Sequence, residues 1–191
     1  MNDSREQILN VAFDLFLQKS YNEVSIQDIV DKVGMTKGAF YYFFKSKEVL
    51  FSEIFTRFIA AMELDYSRFS HDSLYQFFHD YLDSMSHKAD SEIKLSVNSY
   101  FFVFDTLKQF PNFQGELKRL IQWKQEAWTK IVRIAREKGE IKSPMSDEQI
   151  AEIFIFISDG VEIRSLMEID AGFITAQIKE FWDGFYAQIR A

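Results

Sequence analysis

The stretch from Ser25 to Leu50, S-I-Q-D-I-V-D-K-V-G-M-T-K-G-A-F-Y-Y-F-F-K-S-K-E-V-L, constrains this chain most. Ile26, Ile29, Val30 and Val33 recur at helical spacing and predict one buried stripe. Ser25 is placed to cap that helix by accepting a bond from an orphan N–H. Gly34 falls where the helix must stop, and glycine tolerates the left-handed backbone of a sharp turn. Thr36 begins a second helix of about two turns. Ser46 then caps a third, with Glu48 in its first turn. Two short helices about a glycine-containing turn form the helix-turn-helix pattern.

The second short helix has the chemistry of a DNA reader. From Lys32 to Lys47 the chain carries Lys32, Lys37, Lys45 and Lys47 and no acid. Phosphate contacts need such local positive charge, whatever the charge of the whole chain. Tyr41 and Tyr42 add phenolic donors for phosphate oxygens. Gly38 and Ala39 have little side chain, so the helix can approach base edges, and Ala39 can meet a thymine methyl. Phe40 and Phe44, four apart, are expected to pin the helix to its domain.

The run V-G-M-T-K-G-A-F-Y-Y-F-F-K-S-K-E-V-L-F closely resembles the helix-turn-helix signature of the TetR family of transcriptional regulators. The resemblance covers about the first fifty residues. It implies a homodimeric all-helical regulator whose C-terminal domain binds a small effector. By position it implies phosphate contacts from Ser25, Thr36, Tyr41, Tyr42 and Lys47, and base or groove contacts from Lys37, Gly38, Ala39 and Tyr41. Phe43 departs from the family pattern: many members have histidine there, and phenylalanine cannot donate to a phosphate.

Composition bounds the rest. With 191 residues, 47% of them apolar, the chain can bury a sizeable core and is not of disordered composition. It has no cysteine, which excludes disulfides and thiolate metal sites. The polar N-terminus M-N-D-S-R-E lacks a signal-peptide h-region, and no apolar run reaches bilayer length, so a cytoplasmic protein with no membrane partner is expected. The net charge is −7. Residues 1–50 carry six basic and seven acidic residues, and residues 51–191 carry sixteen and twenty-two. The acidity therefore lies mainly outside the reading head.

An all-α chain of about nine helices is expected, with a DNA-binding domain at 1–47 and an effector-binding and dimerisation domain at 48–191. Ile8, Ala12, Leu15 and Phe16 mark the core face of the first helix. A long amphipathic helix is expected from Lys47 to about Phe69, and further helices to His87, from Ser91 to Phe110, and over about 113–138. The Tyr100–Phe104 run is apolar all round and predicts a deeply buried helix. Ser146 and Gln149 form a capping box opening the penultimate helix, and Asp170–Gly172 turns the chain into the last one. Gly160 and Gly184 lie inside these two helices at about 1 kcal/mol each relative to alanine. Close helix approach is one reason to accept that cost. Paired with their copies, the two helices would build a four-helix dimer interface, with Phe154, Ile157, Gly160, Val161, Arg164, Phe181, Gly184 and Phe185 as candidates. Packing within one subunit is the alternative.

Aromatic residues make up 17% of the chain, including 21 Phe. An aromatic-lined cavity suits a hydrophobic or planar effector. The candidates are Phe69, Tyr81, Met85, Tyr100, Phe104, Trp123, Trp128 and Phe154, with Asn98 and Asp105 available to orient a polar group. Ordinary core packing is the competing reading for each. His79, Asp83 and His87 lie four apart, but three such positions drift round a helix and suit one metal ion poorly. No nucleophile–base pair, phosphate-cradling loop or cofactor motif is present, so an enzyme is not expected. An adaptor of the same fold that no longer binds DNA is the alternative to a DNA-binding, most plainly repressing, regulator of a near-palindromic operator.

Overall fold

The computed structural model describes residues 2–89, 97–166 and 174–191. They form nine α-helices: α1 (Asn2–Gln18), α2 (Ile26–Val33), α3 (Lys37–Phe43), α4 (Lys47–Met62), α5 (Leu74–Ala89), α6 (Val97–Gln109), α7 (Gln114–Glu137), α8 (Asp147–Ser165) and α9 (Ile174–Ile189). Single 3-10 turns lie at Tyr66–Arg68 and Pro111–Phe113. No strand occurs among the described residues; one isolated antiparallel bridge joins Ile141 and Arg190. The all-α reading holds. The expected turn at Asp170–Gly172 and the start of the helix expected at Ser91 fall outside the described residues.

The chain divides into two compact units, Met1–Glu63 with Leu95–Leu117, and Leu64–Lys94 with Lys118–Ala191. Thus α4 and α6 share a unit with α1–α3, which differs from a cut at residue 47. In the first unit, α1 lays the stripe Ile8, Leu9, Ala12, Leu15 and Phe16 against α2, α4 and α6, and all five are buried. Phe51 of α4 is the centre of a ring cluster, 4.8 Å from Phe16, 4.9 Å from Tyr21 and 5.4 Å from Phe102. Edge-on and tilted ring pairs like these add to plain area burial. Arg5 of α1 forms a bidentate pair with Glu53 of α4 at 2.8 and 2.5 Å, and its guanidinium lies 4.9 Å from the Phe44 ring.

Two helices depart from expectation. α4 stops at Met62 instead of Phe69. The Asp65 carboxylate accepts from the Ser67 N–H at 3.2 Å and the Ser67 hydroxyl at 2.5 Å, giving the backbone a local alternative to the helix. In α6 the Tyr100–Phe104 run is not deeply buried: Phe102 is, but Phe101 and Phe104 are 66% and 64% exposed. The buried positions are Ser99, Phe102 and Thr106, one helical face, which packs in the unit containing α1. A run that is apolar all round leaves the choice of face to the partner helix.

The second unit is built on a fully buried cluster of Trp128, Phe78, Phe154 and Trp182. Trp128 stands 5.2 Å from Phe154 and 5.1 Å from Trp182, and the Trp182 indole N–H donates to the Phe154 carbonyl at 2.9 Å. Polar clamps order its loops. Glu140 accepts from the N–H groups of Leu74 and Tyr75, both at 2.9 Å, and from the Tyr186 hydroxyl at 3.0 Å. It thereby satisfies the open N-terminus of α5. Arg136 donates to Asp147 at 2.7 Å and to the carbonyls of Ser143 and Met145 at 2.8 and 2.7 Å. The Ser146–Gln149 capping box forms as the sequence predicts, and Gly139 takes a left-handed φ of 74° after α7.

Candidate nucleic-acid interface

The helix-turn-helix is set by its caps. Ser25 and Asp28 bond reciprocally: the Asp28 N–H donates to the Ser25 hydroxyl at 3.1 Å, and the Asp28 carboxylate accepts from the Ser25 N–H at 2.8 Å. The Ser25 O–H also donates to Asp28, at 2.6 Å. Those bonds hold the Asp28 carboxyl below its ordinary value. Gly34 has φ 77° and ψ 33°, and the Met35 N–H returns to the Val30 carbonyl at 2.9 Å, closing α2. Thr36 then accepts the Ala39 N–H at 3.2 Å and opens α3.

α3 has one anchored and one open face. Phe40 and Phe44 are completely buried, with rings 5.9 Å apart. Tyr41 and Tyr42 are 54% and 68% exposed. Thr36, Lys37, Gly38 and Lys45 are exposed beside them, and Ala39 is partly so. A methyl group added at Gly38 would meet only the Thr36 hydroxyl, at 3.7 Å. Phe43 is partly buried, its ring 5.0 Å from that of Tyr42. The open face thus presents two ammonium groups, two phenols and a low ridge of small residues, a pattern suited to phosphates and base edges.

These features match a known family model. The model described as bacterial regulatory proteins, tetR family, aligns with residues 8–54, from α1 through the first half of α4. The chain carries the helix-turn-helix domain of the tetR family. Beyond that domain, the chain is 22% identical over 190 residues to IcaR of Staphylococcus aureus (strain Newman), the negative transcriptional regulator of the biofilm operon icaADBC. That alignment covers 96% of this chain and 95% of IcaR. It is 44% identical over 50 residues to YerO of Bacillus subtilis (strain 168), an uncharacterized HTH-type transcriptional regulator, covering 26% of this chain and 17% of YerO. Among solved structures, a TetR-family regulator from Agrobacterium tumefaciens superposes with a TM-score of 0.71 at 16% identity, over 100% of this chain and 99% of that one. NalD of Pseudomonas aeruginosa, the secondary repressor of the MexAB-OprM multidrug efflux pump, gives 0.70 at 16% identity, over 99% and 98%. The matched proteins are transcriptional regulators rather than enzymes, and the tetR-type fold extends over the whole chain.

Within the tetR-type head, two expected contact residues are occupied locally. Lys47 turns inward: its ammonium donates to the carbonyls of Tyr21 and Val24, both at 2.7 Å, and burial lowers its pKa. Ser25 spends its O–H on Asp28. Lys45, in contrast, is exposed, and the density of lysines in this stretch was its only sequence signal.

The expected effector residues do not form one set. Phe69, Tyr81, Trp128 and Phe154 pack together in the core of the second unit, with Met85 against it. Trp123 is partly exposed. Tyr100 and Phe104 belong to the first unit. There Phe104 lines an open cleft of about 430 Å³ with Phe16, Lys19, Asn98, Phe101 and Asp105. Charged groups that sequence reasoning did not single out sit beside the second-unit core: Lys124, Asp159 and Glu162.

The expected dimer residues also divide. Phe154 and Val161 are buried within the subunit, because their side of α8 meets α5, α7 and α9 ring residues. Ile157 and Phe185 pack against the same core. Gly160, Arg164, Phe181 and Gly184 are exposed. Phe156 and Ile163, both exposed, complete an apolar row Phe156, Gly160, Ile163 on α8. Their spacing relative to Gly160 was the signal that could have found them.

Among the described residues, no group of three or more His, Cys, Asp or Glu is placed to hold a metal ion; the side chain of His87 lies outside them. His79 uses its ring Nδ1 on the Tyr75 carbonyl at 2.8 Å. No helix among the described residues is long and apolar enough to cross a membrane.

Proposed function

We propose that this chain is a homodimeric transcriptional repressor that reads a near-palindromic operator with α3 and is released by a small hydrophobic or aromatic effector. The single observation that carries the reading is the anchored α3. Phe40 and Phe44 lock its inner face, while Lys37, Gly38, Tyr41, Tyr42 and Lys45 stand open. Residues 1–47 act as the reading head, and residues 48–191 supply effector binding and dimerisation. Repression accords with IcaR and NalD, both described as negative regulators.

Thr36, Tyr41, Tyr42 and Lys45 contact phosphates, and Lys37, Gly38 and Ala39 face the base edges. A second copy of the chain covers the open row of α8 together with Phe181 and Gly184 of α9. The support is that a Cβ added at Gly160 or Gly184 meets nothing within 4 Å, which leaves both ridges open to a facing helix. Two heads on a two-fold axis then meet successive major grooves. An effector that binds better to a state with mismatched heads lowers operator affinity by that difference. The protein works in the cytoplasm, where its DNA lies.

Selection of bound duplexes from a randomised pool at near-physiological salt tests this reading. A near-palindromic motif is expected. No enrichment, before and after refolding to remove any captured ligand, would overturn it in favour of an adaptor of the same fold.

A further inference from the structure

The end of α1, the turn after it and one side of α6 enclose an open cleft of about 430 Å³, wholly within the first unit. Phe16 and Phe102 line it from the core, and both are buried. Phe101 and Phe104 line it with rings that are 66% and 64% exposed. They stand three residues apart on α6, with Lys108 four residues further on, so the three form one ridge. Single apolar side chains on a surface are ordinary, but two adjacent open rings on one cleft are the makings of a binding surface.

Four charged side chains also line the cleft, and the two signs differ in how they are occupied. The Glu23 carboxylate accepts from the Ser20 N–H at 2.9 Å and from the Ser20 hydroxyl at 2.8 Å. Asp105 accepts from the Tyr21 N–H at 2.7 Å. Lys19 and Lys108 are exposed, and no hydrogen bond or ion pair reaches either ammonium among the described residues; Lys19 acts on Glu23 only through space. The carboxylates therefore have donors already, while the ammonium groups lack acceptors. Asn98 adds an exposed amide that can donate or accept.

We propose that this cleft binds a small aromatic carboxylate: its ring rests on Phe101 and Phe104, and Lys19 and Lys108 are its counter-ions. The inference rests on the proposed reading of the chain as effector-responsive, and it names the charge and the place of that effector. The volume falls in the range of small-molecule sites, about 300–1,000 Å³. A cationic ligand would meet two unpaired ammonium groups and two carboxylates that are already bonded, and a neutral one gains the rings alone. The rings of Phe69, Tyr81, Trp128 and Phe154 in the second unit are buried in one packed cluster, so their faces are taken. The place has a consequence for the reading head. Asp105 lines the cleft and holds the Tyr21 N–H, so an occupant touches the residue that fixes the turn between α1 and α2.

The experiment is calorimetric titration of the full chain with 2-naphthoate, its neutral amide 2-naphthamide and the cation 2-naphthylmethylammonium, with amide and indole N–H chemical shifts followed by NMR. Naphthoate is expected to bind about tenfold tighter than the amide, and the cation weakest of the three. Shifts are expected at residues 19–21 and 101–108. The indole N–H signals of Trp123, Trp128 and Trp182, all in the second unit, are expected to stay in place. The exposed double variant Lys19→Gln with Lys108→Gln should lose about tenfold in naphthoate affinity and keep its affinity for the amide. Phe104→Ser should weaken all three probes. No binding of naphthoate, equal or tighter binding of the amide or the cation, or shifts confined to the indole signals overturns the site. The comparison of probes on the parent chain stands alone, so misfolding of a variant leaves the answer intact. Operator selection with the unliganded protein reads the regulator proposal separately: its failure would leave a carboxylate site standing, and its success would not rescue one.

Discussion

Lys47 holds Tyr21 twice: its ammonium donates to the Tyr21 carbonyl at 2.7 Å and lies 4.0 Å from the centroid of the Tyr21 ring. The same ammonium bonds the Val24 carbonyl, and the Tyr21 N–H donates to Asp105 of α6 at 2.7 Å. The turn between α1 and α2 is thus tied to the start of α4 and to α6. A lysine that the signature would place on phosphate braces the helix-turn-helix unit from within.

Lys47→Met is therefore expected to lower stability by about 1–2 kcal/mol, the cost of losing charge-assisted bonds to two carbonyls. It should weaken binding to every duplex while leaving the salt dependence of binding unchanged. Lys45→Ala, in contrast, should lower the slope of log K against log salt by about 1 with little change in stability. Salt titrations of the two variants decide the matter; a reduced slope for Lys47→Met would return that residue to phosphate contact.

Asp105→Ala leaves the Tyr21 N–H without its acceptor. A loss of about 1–2 kcal/mol is expected in denaturant unfolding. Amide exchange at Tyr21 should accelerate more than exchange in α3, whose own caps remain. Unchanged protection at Tyr21 would show that the ring cluster alone holds the turn.

Glu140→Ala removes the acceptor for two N–H groups at the start of α5 as well as the partner of the Tyr186 hydroxyl. Stability should fall by about 2–3 kcal/mol, more than for loss of a single cap. The Tyr186 phenol, held at about 12 by burial and by Glu140, should titrate lower in the variant. Ultraviolet titration of tyrosine ionisation checks it.

Glu162 sets a pH dependence of stability. Its folded carboxyl, at about 7, lies above its ordinary value of 4.5. The folded state therefore binds the proton more tightly than the unfolded chain, so this group's contribution is full below 4.5, declines as pH rises to 7, and is level above. Asp28 has the opposite sign, since its carboxyl is held low and its contribution is lost as pH falls through the acid range. Glu162→Gln should match the parent near pH 3 and exceed it by about 3 kcal/mol at pH 8. Equal unfolding midpoints for the two proteins at pH 8 would contradict the burial of this group.

Phe156→Lys puts a charge into the open row of α8. If that row meets a second copy, sedimentation should show a shift from dimer to monomer with secondary structure intact, since Phe156 is 64% exposed in the subunit. A dimer undisturbed by the lysine would place the interface elsewhere.

Much of this was local and therefore readable along the chain. The caps at Ser25, Thr36, Ser46 and Ser146, the stop at Gly34 and the buried stripe of α1 depend on neighbours within a turn or two, so residue type and spacing determine them. The open chemistry of α3 followed from the same spacing. Tertiary structure alone decided the rest, because those outcomes depend on partners far away in sequence. Lys47 bonds carbonyls more than twenty residues earlier, which no local pattern announces. Phe101 and Phe104 stayed exposed because α6 packs through Ser99, Phe102 and Thr106, and Phe154 turned inward because Trp128 and Trp182 wait there. Glu162 is unremarkable as one acid among twenty-nine; only the fold partly buried it and brought the charges of Lys124 and Asp159 to bear on it. Helical periodicity says that a face will be buried. Which face it is, and what charge is buried with it, is settled by the surfaces that meet it.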